Sequence, residues 1–234
     1  MEIRLLSLLD GARAAAGTAV IIDVFRAYTT AALAFARGAA RIVLVAEVEE
    51  ALELRARGAG DLCLGEVGGK RPEGFDFGNS PAEMSTADVR GKNLVQSTRA
   101  GTVGAAAARN AEQLYVASLV NAGATAAAIR AQGPSLVCVV AMGREGRVRS
   151  DEDEHCGLYL RNLLEGRRPA PEAVRQLVLA GGECAKFRDP EQPQYLPEDL
   201  DLALRIDSVD FAIRAERCDG LLVARPCARG ETTG

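Results

Sequence analysis

Residues 21–46 read IIDVFRAYTTAALAFARGAARIVLVA. A β-rich apolar run stops at Asp23. A short turn follows, then an Ala-rich stretch of helical composition, a Gly punctuation mark and a second β-rich run. Strand, helix and strand in this order predict a βαβ unit and a parallel sheet. The pattern recurs outward from here. Runs ending at Gly, Asp or Ser predict buried strands over 19–23, 41–46, 61–66, 92–98, 113–119, 135–142 and 220–226. TTAALAFARGAA, VEEALELRARGA, TVGAAAARNAE, NAGATAAAIRAQ and EDEHCGLYLRNLLEG lie between them and predict helices. The expected fold is therefore α/β, a three-layer α/β/α arrangement around a mainly parallel sheet. Residues 67–90 and 186–201 carry Gly, Pro and polar residues and predict long loops, which in compact domains are often functional. The ends, above all ARGETTG at 228–234, are expected to fray.

The opening stretch also has a partner within the chain. LVQSTRAGTVGAAAARNAEQLYVAS, residues 94–118, aligns with it: Arg26-Ala27 against Arg99-Ala100 and Thr29 against Thr102. The alignment suggests an internal duplication of two intertwined halves, 1–90 and 91–234, within one unit spanning 1–234. Chance matching of Ala-rich helices is the competing reading. Asp23 of the first copy stands opposite Gln96 in the second.

Composition narrows the function. The chain has 234 residues, 48% of them hydrophobic, enough for a substantial core. A net charge of −4 with 4% aromatics and no Trp excludes a nucleic-acid footprint and base-stacking platforms. No apolar run reaches the roughly 18 residues that span a bilayer. The start MEIRLLSLLDGARAAAG does not read as a signal peptide. Six scattered cysteines without a CxxC pair read as reduced thiols of a cytoplasmic protein.

A strand leading into R-A-x-T and a helix has a chemical meaning. A helix N-terminus offers free N–H groups and partial positive charge, and the Arg adds a planar donor fork. Two such turns on one sheet suit a ligand with more than one anionic group. The alternative is that Thr29, Thr30 and Thr102 only cap helices. Asp23 and Glu66 end strands on the same side of the sheet. Asp76 and the run SDEDEHC at 150–156, which holds the chain's one His, would add further carboxylates. Hard oxygen ligands of this kind suit Mg²⁺ beside a phosphate. Other phosphatase patterns fit less well. Asp23 lacks a second Asp two residues on. Cys138 has the C-x5-R spacing but sits mid-strand, where its thiol is not activated. No GxxxxGK[ST] loop is present. His155 reads as a helix or turn residue first and a general acid second.

The segments DVFRAYTTA (23–31), GEVGGKRPEGFDFGNSP (65–81), STRAGT (97–102), ASLVNAGA (117–124) and the S-x-E-D-x-x-C within SDEDEHC now stand together. In this order, over residues 23–156, the chain resembles the 2-phosphosulfolactate phosphatases, magnesium-dependent enzymes of the coenzyme M pathway. FDFGNSP and DVFRAxTT are the specific matches. The chain departs from the pattern at Tyr28, where a small residue is usual, at Val67, where Arg is usual, and at STRAGT, which brings in Arg99. His155 falls on a variable position.

The resemblance implies Mg²⁺-dependent hydrolysis of 2-phosphosulfolactate, a small anionic phosphate ester, to sulfolactate and phosphate. It implies metal contacts from Asp23, Glu66, Glu152 and Asp153, with Asp151 and Glu154 as solvated surplus. Asp23, Arg26 and Arg99 become the catalytic candidates, with Arg26 on the transferring phosphoryl group and Arg99 on a carboxylate or sulfonate. Thr29, Thr30, Gly78, Asn79, Ser80, Thr98, Gly101, Thr102 and Asn121 become the substrate-binding candidates. Gly78-Asn79-Ser80 would form a tight anion-holding turn, or a purely structural turn before a helix at Pro81. Attack by a metal-bound water and attack by Asp23 both remain open. Two further readings stand: a broader phosphatase of multi-anionic esters, and a non-catalytic binder of sulfolactate-like anions. A homodimer is compatible with all of these.

Overall fold

A computed structural model describes residues 1–227, and the ARGETTG stretch lies outside them. Among the described residues the chain runs β1 (Glu2–Ser7), α1 (Leu8–Ala14), β2 (Gly17–Ile22), α2 (Ala27–Ala36), β3 (Arg41–Val45), α3 (Val48–Ala56) and β4 (Leu62–Gly65). It continues with α4 (Pro81–Thr86), β5 (Asn93–Ser97), α5 (Gly101–Ala107), β6 (Ala111–Ala117), α6 (Ala122–Gln132), β7 (Leu136–Ala141) and α7 (Asp151–Leu164). The last elements are α8 (Pro171–Leu179), a 3₁₀ segment Gly182–Arg188, α9 (Pro197–Ala203), β8 (Ala212–Cys218) and β9 (Leu221–Cys227).

All nine strands of the described residues join one sheet in the order β1-β7-β2-β6-β8-β9-β3-β5-β4. Pairing is parallel except around β8 and β9, which run antiparallel to β6, to each other and to β3. The expected α/β fold with a mainly parallel sheet is what forms. Its central strands are largely apolar because both faces are covered. Ala19 and Ile21 of β2 and Ile42 and Leu44 of β3 face one shared core with α2 and α5. Val20 and Ile22 face the opposite side, against α6 and α7. Val43 and Val45 face α3 on that same second side. Burying one such Val, Leu or Ile contributes about 1.5–3 kcal/mol.

The strands opening the two repeat copies hold equivalent places. β2 lies between β7 and β6, and β5 lies between β4 and β3. Strands of both candidate halves are interleaved across the hairpin. This equivalence is one of position in the sheet.

Some elements had not been expected. β1 and β8 alternate apolar and charged residues, EIRLLS and AIRAERC, and so lack the uniform apolar signature of the central strands. The β8–β9 turn is Asp219-Gly220, with φ of 51° and 81°. Asp-Gly is a strong hairpin signal because both turn residues take positive φ. The expected loop 67–90 contains α4, and 186–201 contains the end of the 3₁₀ segment and the start of α9. Cys138 lies buried mid-strand in β7.

Candidate active site

A cavity of about 630 Å³ opens at the carboxyl ends of the parallel strands, where open α/β sheets bind ligands. Asp23 follows β2, Glu66 follows β4, and Arg99 follows β5. Glu152 and Asp153 lie in the first turn of α7, beyond β7. All five border this cavity, together with Arg26 and Asn79.

Asp23 is fixed before any ligand arrives. Its Oδ1 accepts from the Ala27 amide at 3.0 Å and its Oδ2 from the Gly101 amide at 2.8 Å. One carboxylate thus ties the end of β2 to the starts of both repeat helices. Burial raises its pKa to about 6. The charge of Glu66 adds to the rise, while the two amides and Lys186 oppose it. Gly101 has no side chain because there is no room for one: a Cβ would lie 2.9 Å from both Ala27 Cβ and Asp23 Oδ2. Gly101→Ala is therefore expected to push the start of α5 off Asp23. We expect turnover to fall at least tenfold and stability to fall by about 1–3 kcal/mol, read by phosphate release and urea denaturation of the same preparation.

The acidic run divides by helical geometry. Glu152, Asp153, Cys156, Tyr159 and Leu160 form the buried face of α7. Asp153 accepts from the Val24 amide at 2.7 Å and the Gly143 amide at 2.8 Å, joining the loops after β2 and β7. Burial holds its pKa well above the usual range, and the charges of Glu152 and Asp23 add to the rise. Burial likewise lifts Glu152 to about 7, and its Oε2 is buried without a hydrogen-bond partner. Asp151 is exposed, as expected. Glu154 is not solvated surplus: Ser7 Oγ donates to it at 2.7 Å and Arg149 pairs with it at 3.2 Å. His155 lies in α7 and does not border the cavity. Asp76 is turned away, held by Arg55 at 2.8 Å and by the Cys63 amide.

Glu66 is braced from two sides, by the Arg99 amide at 2.8 Å and the Gly69 amide at 2.7 Å. The Arg99 side chain reaches toward Glu47 at 3.3 Å. Arg26 is placed differently from the expectation. It is 2% exposed and directs Nη1 to Asp199 Oδ2 at 2.6 Å and to the Gln194 carbonyl at 2.8 Å, and Nη2 to the Gly69 carbonyl at 3.1 Å. Its guanidinium also lies 4.6 Å from the centre of the Tyr195 ring.

The remaining candidates, apart from Asn79, lie behind the cavity wall. Thr29 donates to the Val24 carbonyl. Thr30 is fully buried, its hydroxyl without a partner. Thr102 donates to the Thr98 carbonyl and accepts from the Thr98 amide, which closes the turn before α5. Asn121 accepts from the Ser118 amide. Gly78 donates to Glu83, and Ser80 caps α4 at Pro81 while donating to Asp199 at 2.6 Å. Asn79 alone of that turn borders the cavity, with a buried Oδ1 that has no partner.

Lys186, Arg144, Gln192 and Tyr195 also border the cavity and were not among the sequence candidates. Lys186 and Tyr195 flank two prolines in a segment that reads as loop, so no periodicity marked them. Arg144 lies just past β7 in AMGREG; the C-x5-R spacing from Cys138 marked it, but only for a cysteine chemistry that the buried mid-strand thiol does not serve.

The donor chemistry fits a divalent cation. Buried carboxylates face one another, and Glu152 Oε2 is left unsatisfied. Among the described residues no three acidic, His or Cys side chains converge as a cage. Mg²⁺ in phosphoryl-transfer sites commonly takes one or two carboxylates, completed by waters and substrate oxygens.

Comparison with known proteins adds to this geometry. The family model described as 2-phosphosulpholactate phosphatase matches residues 6–185. A "Probable 2-phosphosulfolactate phosphatase" of Bacillus subtilis is 31% identical over 202 residues, 85% of this chain and 86% of that protein. Proteins with the same description from Thermoplasma acidophilum and Thermus thermophilus are 30% and 40% identical. The first match covers 88% of this chain and 89% of the relative, the second 69% and 68%. No helix among the described residues is long and apolar enough to cross a membrane.

Proposed function

The chain belongs to the 2-phosphosulfolactate phosphatase family, a family of phosphoric monoester hydrolases, and from that premise we propose that it hydrolyses 2-phosphosulfolactate with the help of Mg²⁺. The observation that carries the reading is that Asp23, Glu66, Glu152 and Asp153, from three different strand ends, border one cavity with Arg99 and Arg144. A substrate carrying phosphate, carboxylate and sulfonate needs cationic partners for its fixed anions and a separate apparatus at the phosphorus.

Glu152 would hold the metal through its unpartnered oxygen, with Asp153 beside it. Bound there, Mg²⁺ would neutralise charge on the phosphoryl oxygens. The chain's own residues do the rest. Asp23, its orientation set by two amides, accepts a proton from the attacking water. The water oxygen forms the new P–O bond as the ester P–O bond breaks. The proton returns through solvent to the departing alkoxide, giving alcohol and inorganic phosphate. Arg99 and Arg144, at the rim, hold the anions that do not change during reaction. Asn79, which borders the cavity with an unpartnered Oδ1, would accept a hydrogen bond from the attacking water.

A broader phosphatase of multi-anionic esters is the second reading. It is favoured by the cavity volume, which falls in the range that encloses ligands well above three carbons. Phosphate release over a panel of esters separates the two. The narrow reading requires 2-phosphosulfolactate to exceed simple esters by at least a hundredfold in kcat/KM. Activity is expected to vanish after exhaustive chelation and to return with Mg²⁺. Undiminished turnover in chelator would overturn the metal assignment.

A further inference from the structure

Lys186 takes no part in the reaction described above, yet its surroundings are unlike those of a surface lysine. It projects from the 3₁₀ segment Gly182–Arg188 into the cavity, and its side chain is 17% exposed. The ammonium lies over three rings, 5.1 Å from the centre of Tyr195, 5.6 Å from Phe187 and 5.8 Å from Phe25. The rings brace one another edge to face, Phe25 to Phe187 at 5.0 Å and Phe187 to Tyr195 at 5.7 Å. Phe25 is two residues from Asp23, so this cage sets the ammonium beside the strand end that carries Asp23. The charge acts on both Asp23 and Glu152, drawing each toward its ionised form.

We propose that Lys186 binds the phosphoryl oxygens directly, as a catalytic residue delivered by the C-terminal part of the chain. The inference rests on reading the cavity as a phosphatase site. Its bonded carboxylate is Glu183 at 2.8 Å, a neighbour on the same segment and not one of the acids at the strand ends. The pair is local, made within one segment of the cavity wall, so a phosphate dianion can replace Glu183 without dismantling that wall. Of the other cations on the cavity, Arg144 lies exposed at the rim. Arg26 is consumed by Asp199 and two carbonyls, and Arg99 leans toward Glu47. An ammonium acts as a compact point charge on phosphate, and it contributes most where charge grows in the transition state.

The test uses the full chain and the variants Lys186→Met and Lys186→Arg. Met preserves an unbranched side chain against the rings. Steady-state phosphate release is measured alongside calorimetric binding of inorganic phosphate. Lys186→Met is expected to lose about a hundredfold or more in kcat/KM, with kcat falling too, and to bind inorganic phosphate at least tenfold more weakly. Lys186→Arg should recover part of both losses, and added methylammonium should raise the turnover of Lys186→Met in a saturable way. The proposal is overturned if Lys186→Met stays within threefold of the parent in both assays. It is equally overturned if neither Arg nor methylammonium restores any of the loss, which would mark a packing role. If the parent hydrolyses none of the esters but binds phosphate through Lys186, the phosphatase reading fails and the phosphate subsite stands.

Discussion

Asp23→Asn will lower kcat by about a thousandfold or more, equivalent to roughly 4 kcal/mol of barrier, while the protein stays folded. The amide has no basic oxygen for the water proton. It also sets its NH2 group against one of two amide donors, Ala27 or Gly101, each now within 3.0 Å of a carboxylate oxygen. A buried N–H left facing another donor costs about 1–3 kcal/mol. The variant should therefore unfold at lower urea yet show a cooperative transition. Phosphate release and denaturation of one preparation separate the two effects. A kcat within threefold of the parent would make Asp23 a purely structural tie.

Arg26→Ala carries the largest expected effect on stability. Arg26 and Asp199 are 2% and 0% exposed, and their atoms approach to 2.6 Å. Removing the guanidinium strands a carboxylate that no water reaches, a change that typically costs 3–5 kcal/mol. Asp199 would retain only Ser80 and the Ala82 amide as donors. The loss should spread to three segments at once: the turn before α2, the Gly69 loop and the approach to α9. Replacing the pair together, Arg26→Met with Asp199→Leu, should recover part of the loss because no charge is left unpaired. A loss below 1 kcal/mol in the single variant would mean that solvent enters the site.

The two residues also show what could be read from the chain. Asp23 was legible because it ends a uniformly apolar strand, and such a strand end has one destination in a parallel sheet. Glu66 was legible on the same ground. The roles of Glu152 and Asp153, as against Asp151 and Glu154, came from the resemblance; the 3.6-residue period of α7 gives the physical reason. Arg26 was legible as a site residue but not in its contacts, because Asp199 is distant in sequence and sits in a Pro-rich stretch without periodicity. Lys186 was hidden by the same stretch. Its cage is assembled from Phe25, Phe187 and Tyr195, and no spacing rule links them. β8 escaped notice because the sheet covers it less evenly, so charged residues interrupt its apolar run.

The central hairpin has a consequence for the order of events during synthesis. The parallel strands fall into two blocks, β1-β7-β2-β6 and β3-β5-β4, and no strand of one block is hydrogen-bonded to a strand of the other. Within the sheet, among the described residues, only β8 and β9 join them, and residues 212–227 leave the ribosome after every other strand. Until then β6 and β3 each present an open edge, the kind of surface on which unfinished chains aggregate. The nascent chain can therefore build its sheet in two separate pieces, and the sheet becomes continuous only when its last strands arrive.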